Sequence, residues 1–302
     1  SSRPSRRPLP GAWTDLGDGA HLRRSRAYEM NSVVLAKDDH ALVIDPGVLP
    51  SEMGEIAAFA SERAPRFPNV ALLLTHPHWD HVLGRPWFPA ATTVAHVGFV
   101  DEVQRDEAKI EASAKAWIEG AGERWERPFR AFEPDLTVRG TAPLSLGPFE
   151  AVTYDVPGHC ASQLAFYFPA TGLFVAADML SDIEIPWLDG PPWVYRQTLK
   201  SLHWVFEQED VRTLVPGHGP IATGRANGYR RLLRDLDYLL VLEQRVAEAR
   251  RRGRTLEETQ VDVATMDYLG KDAAYAMNDV HRENVAFTWR GLEEQDGGGP
   301  EA

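Results

Sequence analysis

Residues 75–81 read Thr75-His76-Pro77-His78-Trp79-Asp80-His81, so three histidines and an aspartate fall within a single short stretch. Neutral imidazoles and carboxylates are preferred ligands of borderline divalent cations, and this density reads as a metal-binding loop. Core packing gives no reason for it, because these groups titrate near neutrality and crowd one another. The preceding Val70-Ala71-Leu72-Leu73-Leu74 is a continuous apolar run, the pattern of a strand buried on both faces. The ligand types therefore sit on the loop leaving the carboxyl end of a buried strand, a rigid mount for a reactive site.

The order inside the cluster has geometric content. His76 and His78, two apart in extended backbone, project to one side and can share an ion. Asp80 and His81, beyond the turn, aim at a second point. Further ligand types stand at later turns: Pro157-Gly158-His159, Ala176-Ala177-Asp178 and Pro216-Gly217-His218-Gly219. Each follows a β-rich run, at 149–156, 173–177 and 213–215. Upstream, Ser32-Val33-Val34-Leu35 and Ala41-Leu42-Val43-Ile44 flank a turn at Lys37-Asp38-Asp39 and read as a hairpin that closes on Asp45.

In this order the motifs resemble the metallo-β-lactamase superfamily of hydrolases over residues 31–220, and the ligand set is closest to its glyoxalase-II-like and lactonase-like members. The resemblance implies an α/β fold, a four-layer αβ/βα sandwich of two mixed sheets with C-terminal helices. It implies one ion held by His76, His78 and His159, a second held by Asp80, His81 and His218, and Asp178 bridging them. Asp45 would support the first loop. The implied cofactors are two divalent ions, zinc in first place, with manganese or iron as alternatives. A solvent oxygen bridging two such ions is acidified to hydroxide at neutral pH. Asp80 and Asp178 are the catalytic candidates, each able to take a proton as an intermediate collapses.

The implied reaction is hydrolysis of a small ester, lactone or thioester. Phosphodiester cleavage, or sulfur dioxygenation at a single iron, are the alternatives. Lactamases of the superfamily often carry cysteine or serine at the Asp178 position, so β-lactamase activity is expected to be weak or absent. The basic C-terminal pattern of glutathione-binding relatives is missing. Acyl-homoserine lactonases usually carry a tyrosine three residues after the bridging aspartate; here that residue is Ser181, with Tyr195 as a stand-in from the next loop.

The rest of the chain reads as one domain over 13–295, after an Arg-, Ser- and Pro-rich segment 1–12 expected to be disordered and before a frayed tail at 296–302. A helical insert is expected at about 98–130, with Val103, Ile110, Ala114, Trp117 and Ile118 on one stripe, as a wall or lid or a plain surface helix. A C-terminal helical extension is expected at about 225–295, with Leu232, Leu236, Leu239 and Leu240 on one face and the cationic run Arg250–Arg252 before Gly253 as a helix end. Trp187, Trp193 and Tyr195 follow Asp178 and are expected near the site mouth. They favour an uncharged or amphipathic small molecule, although Trp-rich loops also suit a homodimer surface. His21, His40, His96 and His203 read as structural, while His281 and Asn284 could either reach the pocket or pack.

Composition bounds the partners. With 32 basic and 44 acidic residues the net charge is −12, which lacks the long-range attraction a polyanion needs and disfavours nucleic acid. No apolar run reaches membrane-spanning length and no signal-peptide segment stands at the amino terminus. The single cysteine, Cys160, suits a reducing compartment, so a cytoplasmic location is expected. Cys160 itself reads as a small buried residue, with a thiolate ligand as the alternative.

Overall fold

The apolar runs fold as strands whose successive side chains enter different cores. In the computed structural model, which describes residues 13–66, 69–268 and 271–297, Val33, Leu35, Leu42, Ile44 and Leu73 face one interior while Val34, Val43 and Leu72 face another. Neighbouring strand side chains point to opposite faces, so a strand covered on both sides is apolar at every position. That is why the run before His76 shows no polar alternation.

Among the described residues two large sheets carry the fold. The first holds seven strands in chain order, β1 (Trp13–Gly17), β2 (Ala20–Arg24), β3 (Asn31–Lys37), β4 (His40–Ile44), β5 (Val70–Leu73), β6 (Thr92–His96) and β7 (Leu136–Val138). Its first four strands form an antiparallel meander, and β4 to β7 run parallel. The parallel crossovers carry α1 (Pro50–Arg63), the single turn α2 (Trp79–Val82), and the pair α3 (Phe99–Arg105) and α4 (Glu107–Gly120). The second sheet is built from β8 (Ala142–Leu146), β9 (Phe149–Asp155), β10 (Leu164–Phe168), β11 (Leu173–Val175), β12 (Thr213–Val215) and β13 (Ala222–Thr223), with α5 (Pro192–Gln208) linking the parallel pair β11 and β12.

The sheets pack face to face through Leu22, Ile44 and Leu73 on one side and Phe166, Phe168 and Val175 on the other. Met53, Ile56, Phe99 and Val103 cover the outer face of the first sheet. Leu199 and Phe206 of α5, with Leu232 and Leu239 of α6 (Arg225–Arg251), cover Tyr167 and Phe174 of the second. The layers run helix, sheet, sheet, helix, the sandwich that the resemblance implied. No described helix is long and apolar enough to cross a membrane.

One boundary and two stripe positions differ here from the sequence reading. The helix expected to 130 stops at Gly120, where Gly122 takes φ 74° and the amides of Gly122 and Glu123 donate back to Glu119 and Ile118 at 2.9 and 3.0 Å. This glycine-centred stop leaves 121–135 without helix or strand. On the expected stripe Val103, Ile110, Ala114 and Ile118 are buried, whereas Trp117 is 38% exposed. On α6, Leu232 and Leu239 are buried and Leu240 is exposed; neighbours on a helix are a quarter-turn or more apart, so 239 and 240 cannot share a narrow stripe.

α6 does end at the cationic run, with Gly253 at φ 72° and Arg254 N–H donating to Ala249 at 3.1 Å. The extension continues as α7 (Leu256–Asp262), a short hairpin β14 (Asp267–Tyr268) and β15 (Lys271–Asp272), and α8 (Ala273–Gly297). Asp296, expected to be frayed, belongs to α8 and accepts from Arg250 at 2.8 Å. Residues 298–302 and the expected disordered segment 1–12 lie outside the described residues.

One buried amide joins the sheets. Asn31, at the start of β3, donates from Nδ2 to the carbonyls of Pro216 and Gly219 at 2.9 and 2.8 Å, and its amide donates to Gly217 O at 2.7 Å. Replacing Asn31 by Ala leaves two carbonyls without these donors. A loss of about 2–4 kcal/mol is expected, read as a lower urea midpoint at unchanged slope.

Candidate metal centre

Every ligand-type side chain named from the sequence stands just beyond a strand end. His76 and His78 follow β5, Asp80 and His81 occupy α2, His159 follows β9, Asp178 follows β11 and His218 follows β12. They form two groups, His76, His78, His159 and Asp178 in one and Asp80, His81 and His218 in the other, with the ligand atoms of each group within 4.8 Å of one another.

Outer hydrogen bonds orient the rings. Asp45 Oδ1 accepts from the amide of Thr75 at 2.9 Å, and its Oδ2 accepts from Thr75 Oγ1 at 2.6 Å and from His81 Nδ1 at 2.8 Å. Having donated to Asp45, the Thr75 hydroxyl accepts from His76 Nδ1 at 2.9 Å. His218 Nδ1 donates to Tyr28 O at 2.9 Å and His159 Nδ1 to Trp187 O at 3.1 Å. A ring whose Nδ1–H is engaged in this way turns Nε2 to the centre. His78 is the exception, with Nδ1 itself facing inward, 3.0 Å from His159 Nε2.

Asp178 lies between the groups. Its Oδ2 is 3.3 Å from His159 Nε2 and 3.6 Å from His76 Nε2, while its Oδ1 is 3.1 Å from His81 Nε2 and 3.4 Å from His218 Nε2. Asp80 Oδ2 is 3.1 Å from His218 Nε2. Among the described residues, His76 Nε2, His81 Nε2 and Asp178 Oδ1 are buried without a hydrogen-bond partner. Orphaned buried polar atoms are costly; three that converge within an all-nitrogen and oxygen donor set fit divalent cations.

The electrostatics agree. Burial and neighbouring imidazoles hold His76 well below its usual range and bring His78 to about 3, so both are neutral donors. Burial opposes charge on His81 as well, yet Asp178, Asp80 and Asp45 hold it well above the usual range. His218 is raised in the same way against burial, by Glu184 and Asp178. Burial would raise Asp178, but His81, His218 and His76 overcome it and hold the carboxyl well below normal.

Two tight turns let the backbone come this close. A Cβ on Gly217 would lie 1.9 Å from Asp178 Oδ1, and Gly158, at φ 131°, presses on Tyr195. Left-handed backbone also gathers here in residues other than glycine: Tyr28, Glu29, Asp45, Ala177 and Leu180 all have φ between 47° and 60°. Such strain concentrates where structure over-determines a site.

The centre opens into a cavity of about 740 Å³. Of the three aromatics expected there, Trp187 is on its wall and 43% exposed. Trp193 instead packs where a Cβ on Gly291 of α8 would sit, so it belongs to the α5–α8 contact. Tyr195 also borders the cavity but is fully buried, and its hydroxyl donates to Asp178 O at 3.4 Å. His281 is structural, bonded to Tyr238 Oη and Val263 O. Asn284 clamps the wall, donating to Pro186 O at 2.6 Å and accepting from Leu188 N at 3.0 Å. Cys160 is buried and its Sγ donates to Glu102 at 3.0 Å; burial and that carboxylate push the thiol up, so it stays a neutral packing residue. No local signal marked Glu184, a half-buried carboxylate on the cavity wall whose carboxyl burial raises while His218 opposes the rise. Tyr28 was likewise unmarked, since its link to His218 spans 190 positions.

Asp45→Asn replaces one acceptor oxygen by a donor facing Thr75 or His81. Metal affinity is expected to fall about 10–100-fold in competition with a chromogenic chelator; unchanged affinity would reject the orienting role. Against burial, Asp178, Asp80 and Asp45 hold His81, and Glu184 and Asp178 hold His218, well above the usual imidazole range, which favours the protonated rings in the metal-free protein. Metal uptake is therefore expected to release protons and to weaken as pH falls, seen calorimetrically as a binding enthalpy that tracks the buffer's ionisation enthalpy.

Comparison with known proteins gives the same frame. A probable metallo-hydrolase, YqgX, of Bacillus subtilis (strain 168) is 27% identical over 201 residues, covering 64% of this chain and 86% of its own. A hydroxyacylglutathione hydrolase of Methylobacterium sp. (strain 4-46) is 31% identical over 148 residues, covering 49% and 47%. The stereoselective inverting sec-alkylsulfatase Pisa1 from Pseudomonas sp. superposes with a TM-score of 0.71 at 15% identity, over 93% of this chain and 50% of that one, a likeness of fold alone. The chain thus spans about half the length of these last two proteins. The metallo-beta-lactamase superfamily model matches residues 28–218, from Tyr28 to the last histidine of the centre, and the chain belongs to that superfamily.

Proposed function

We propose that this chain, a metal-dependent hydrolase of the superfamily, uses two metal ions to cleave a small carboxylic ester, lactone or thioester. The observation that carries the reading is Asp178, whose two oxygens face different histidine groups. A one-metal site needs only three or four of these donors and would leave Asp80, His81 and His218 spare. Bound there, zinc or a similar ion supplies Lewis acidity to a carbonyl oxygen and lowers the pKa of water.

The chain's own residues do the rest. Asp45 and Thr75 fix two imidazole orientations, so little reorganisation is left for the reaction. Asp80, beside His218, is placed to hold a proton and deliver it to a leaving oxygen or sulfur. The aromatic and aliphatic walls, among them Trp79, Ile110 and Trp187, exclude water and receive an uncharged or amphipathic small molecule. The likeness to hydroxyacylglutathione hydrolases supports an acyl, and in particular a thioester, substrate.

The test is elemental analysis together with a panel of ester, lactone, thioester and phosphodiester substrates. About two ions per chain and acyl turnover are expected in the natural sequence. Asp80→Ala is expected to retain the fold, lose one ion and lose about 10²–10⁴-fold in kcat. Full activity in that variant sinks the two-ion reading; one iron without hydrolysis moves the chemistry to oxidation.

A further inference from the structure

Beside the second ligand group, three aromatic rings from separate segments meet. Tyr28 is 49% exposed and Trp117 38% exposed, yet their ring centroids are 4.4 Å apart. Trp79 stacks on Trp117 at 6.2 Å with an interplanar angle of 19°, and lies 6.4 Å from Tyr28. Tyr28 also sets its ring 6.1 Å from that of His218. Tyr28 and Trp79 line the cavity, and Trp117 extends their surface along α4. On the far side Trp187 stands edge-on to His159 at 6.0 Å. The ligand groups are therefore flanked by partly exposed aromatic rings on both sides.

The cluster is held in place. Glu52 is buried and accepts from Ser25 Oγ and from Arg26 N at 2.5 and 2.9 Å, fixing the segment that enters the left-handed turn at Tyr28. Arg26 Nη2 then donates to Glu123 at 2.7 Å, just past the glycine stop of α4, and Glu123 also accepts from Ser51 N at 2.9 Å. One ion pair thus joins the Tyr28 segment to the helix that carries Trp117. Contiguous aromatic surface left open to water at a cavity rim is a usual sign of a binding surface, and a fixed one loses little entropy when covered.

We infer that Tyr28, Trp79 and Trp117 form a rigid apolar wall that receives the non-reacting acyl or aryl part of the substrate, selecting medium-chain and aryl esters or thioesters over acetyl ones. This rests on the hydrolase reading above for the reaction, and on the wall alone for the selectivity. A methylene fully removed from water gains up to about fourfold in binding. A wall covers one side of a chain, so about twofold per methylene is expected, or roughly 60-fold over the six methylenes from acetyl to octanoyl.

The experiment uses the zinc-loaded full chain. kcat/KM is measured for p-nitrophenyl acetate, butyrate, hexanoate and octanoate, and octanoate and acetate binding is measured by calorimetry, for the natural sequence, Trp117→Ala, Trp117→Phe and Trp204→Ala. Trp204 is 60% exposed on α5, outside the cavity, and its variant is the control. The expected result is an octanoyl-to-acetyl preference that falls about tenfold or more in Trp117→Ala, is largely kept in Trp117→Phe and is untouched in Trp204→Ala. Octanoate affinity should fall in parallel. Turnover without chain-length preference, and octanoate binding no tighter than acetate, would overturn the wall and leave the hydrolase reading standing. Trp117-dependent octanoate binding without turnover of any ester, lactone or thioester in the panel above would keep the wall and sink the acyl-substrate reading.

Discussion

The arrangement of the centre depends on one buried carboxylate. Asp45, 3% exposed, spends both oxygens on Thr75 and His81, and through the Thr75 hydroxyl it also sets His76. An ionised carboxylate without partners is expensive to bury, and three donors offset that cost. The same bonds decide which nitrogen of two imidazoles faces the centre. Holding the carboxylate and orienting the ligands are therefore one interaction. The left-handed backbone of Asp45, at φ 47°, turns the chain out of β4 toward α1. Aspartate tolerates that region better than most residues.

Around this point the sandwich divides labour between its sheets. The first delivers Asp45 and the histidine cluster from β4 and β5, and the second delivers His159, Asp178 and His218 from β9, β11 and β12. Two-sided burial makes the strands stiff and apolar, so polar chemistry can appear only where they end. The sheets are locked in register at that edge by Asn31 and by the isolated pairing of Met30 with His218. Each ligand group draws residues from both sheets, so a slip between the sheets would pull both groups apart.

The C-terminal helices brace the same edge from outside. Arg231 and Arg234 of α6 both bond Asp182, at 2.6 Å each, and Arg231 also bonds Leu180 O at 3.1 Å, so the loop after Asp178 is held against the helix. Asn284 of α8 holds the loop whose Trp187 carbonyl orients His159. These helices bring none of the ligand-type residues, yet they fix loops that do. The ion pair from Arg26 to Glu123 does the same for the Tyr28 segment on the opposite side.

The sequence by itself determined what is local. The unbroken apolar runs before Asp45 and His76 marked strands buried on both faces, and spacing within residues 76–81 separated two ligand directions, because strand and turn geometry act over a few residues. The Pro-Gly-His turns were legible for the same reason, although the clash that demands Gly217, with Asp178 Oδ1, appears only in the folded chain. Where local signals were ambiguous, packing decided. Trp117 fits the apolar stripe of α4 but is left 38% exposed against Trp79, and Tyr195, in the first turn of α5, is buried with its hydroxyl on Asp178 O. Glu184, Tyr28 and the Arg26–Glu123 pair had no local signature at all. Their roles come from contacts between segments far apart in the chain, and only the tertiary structure sets those distances.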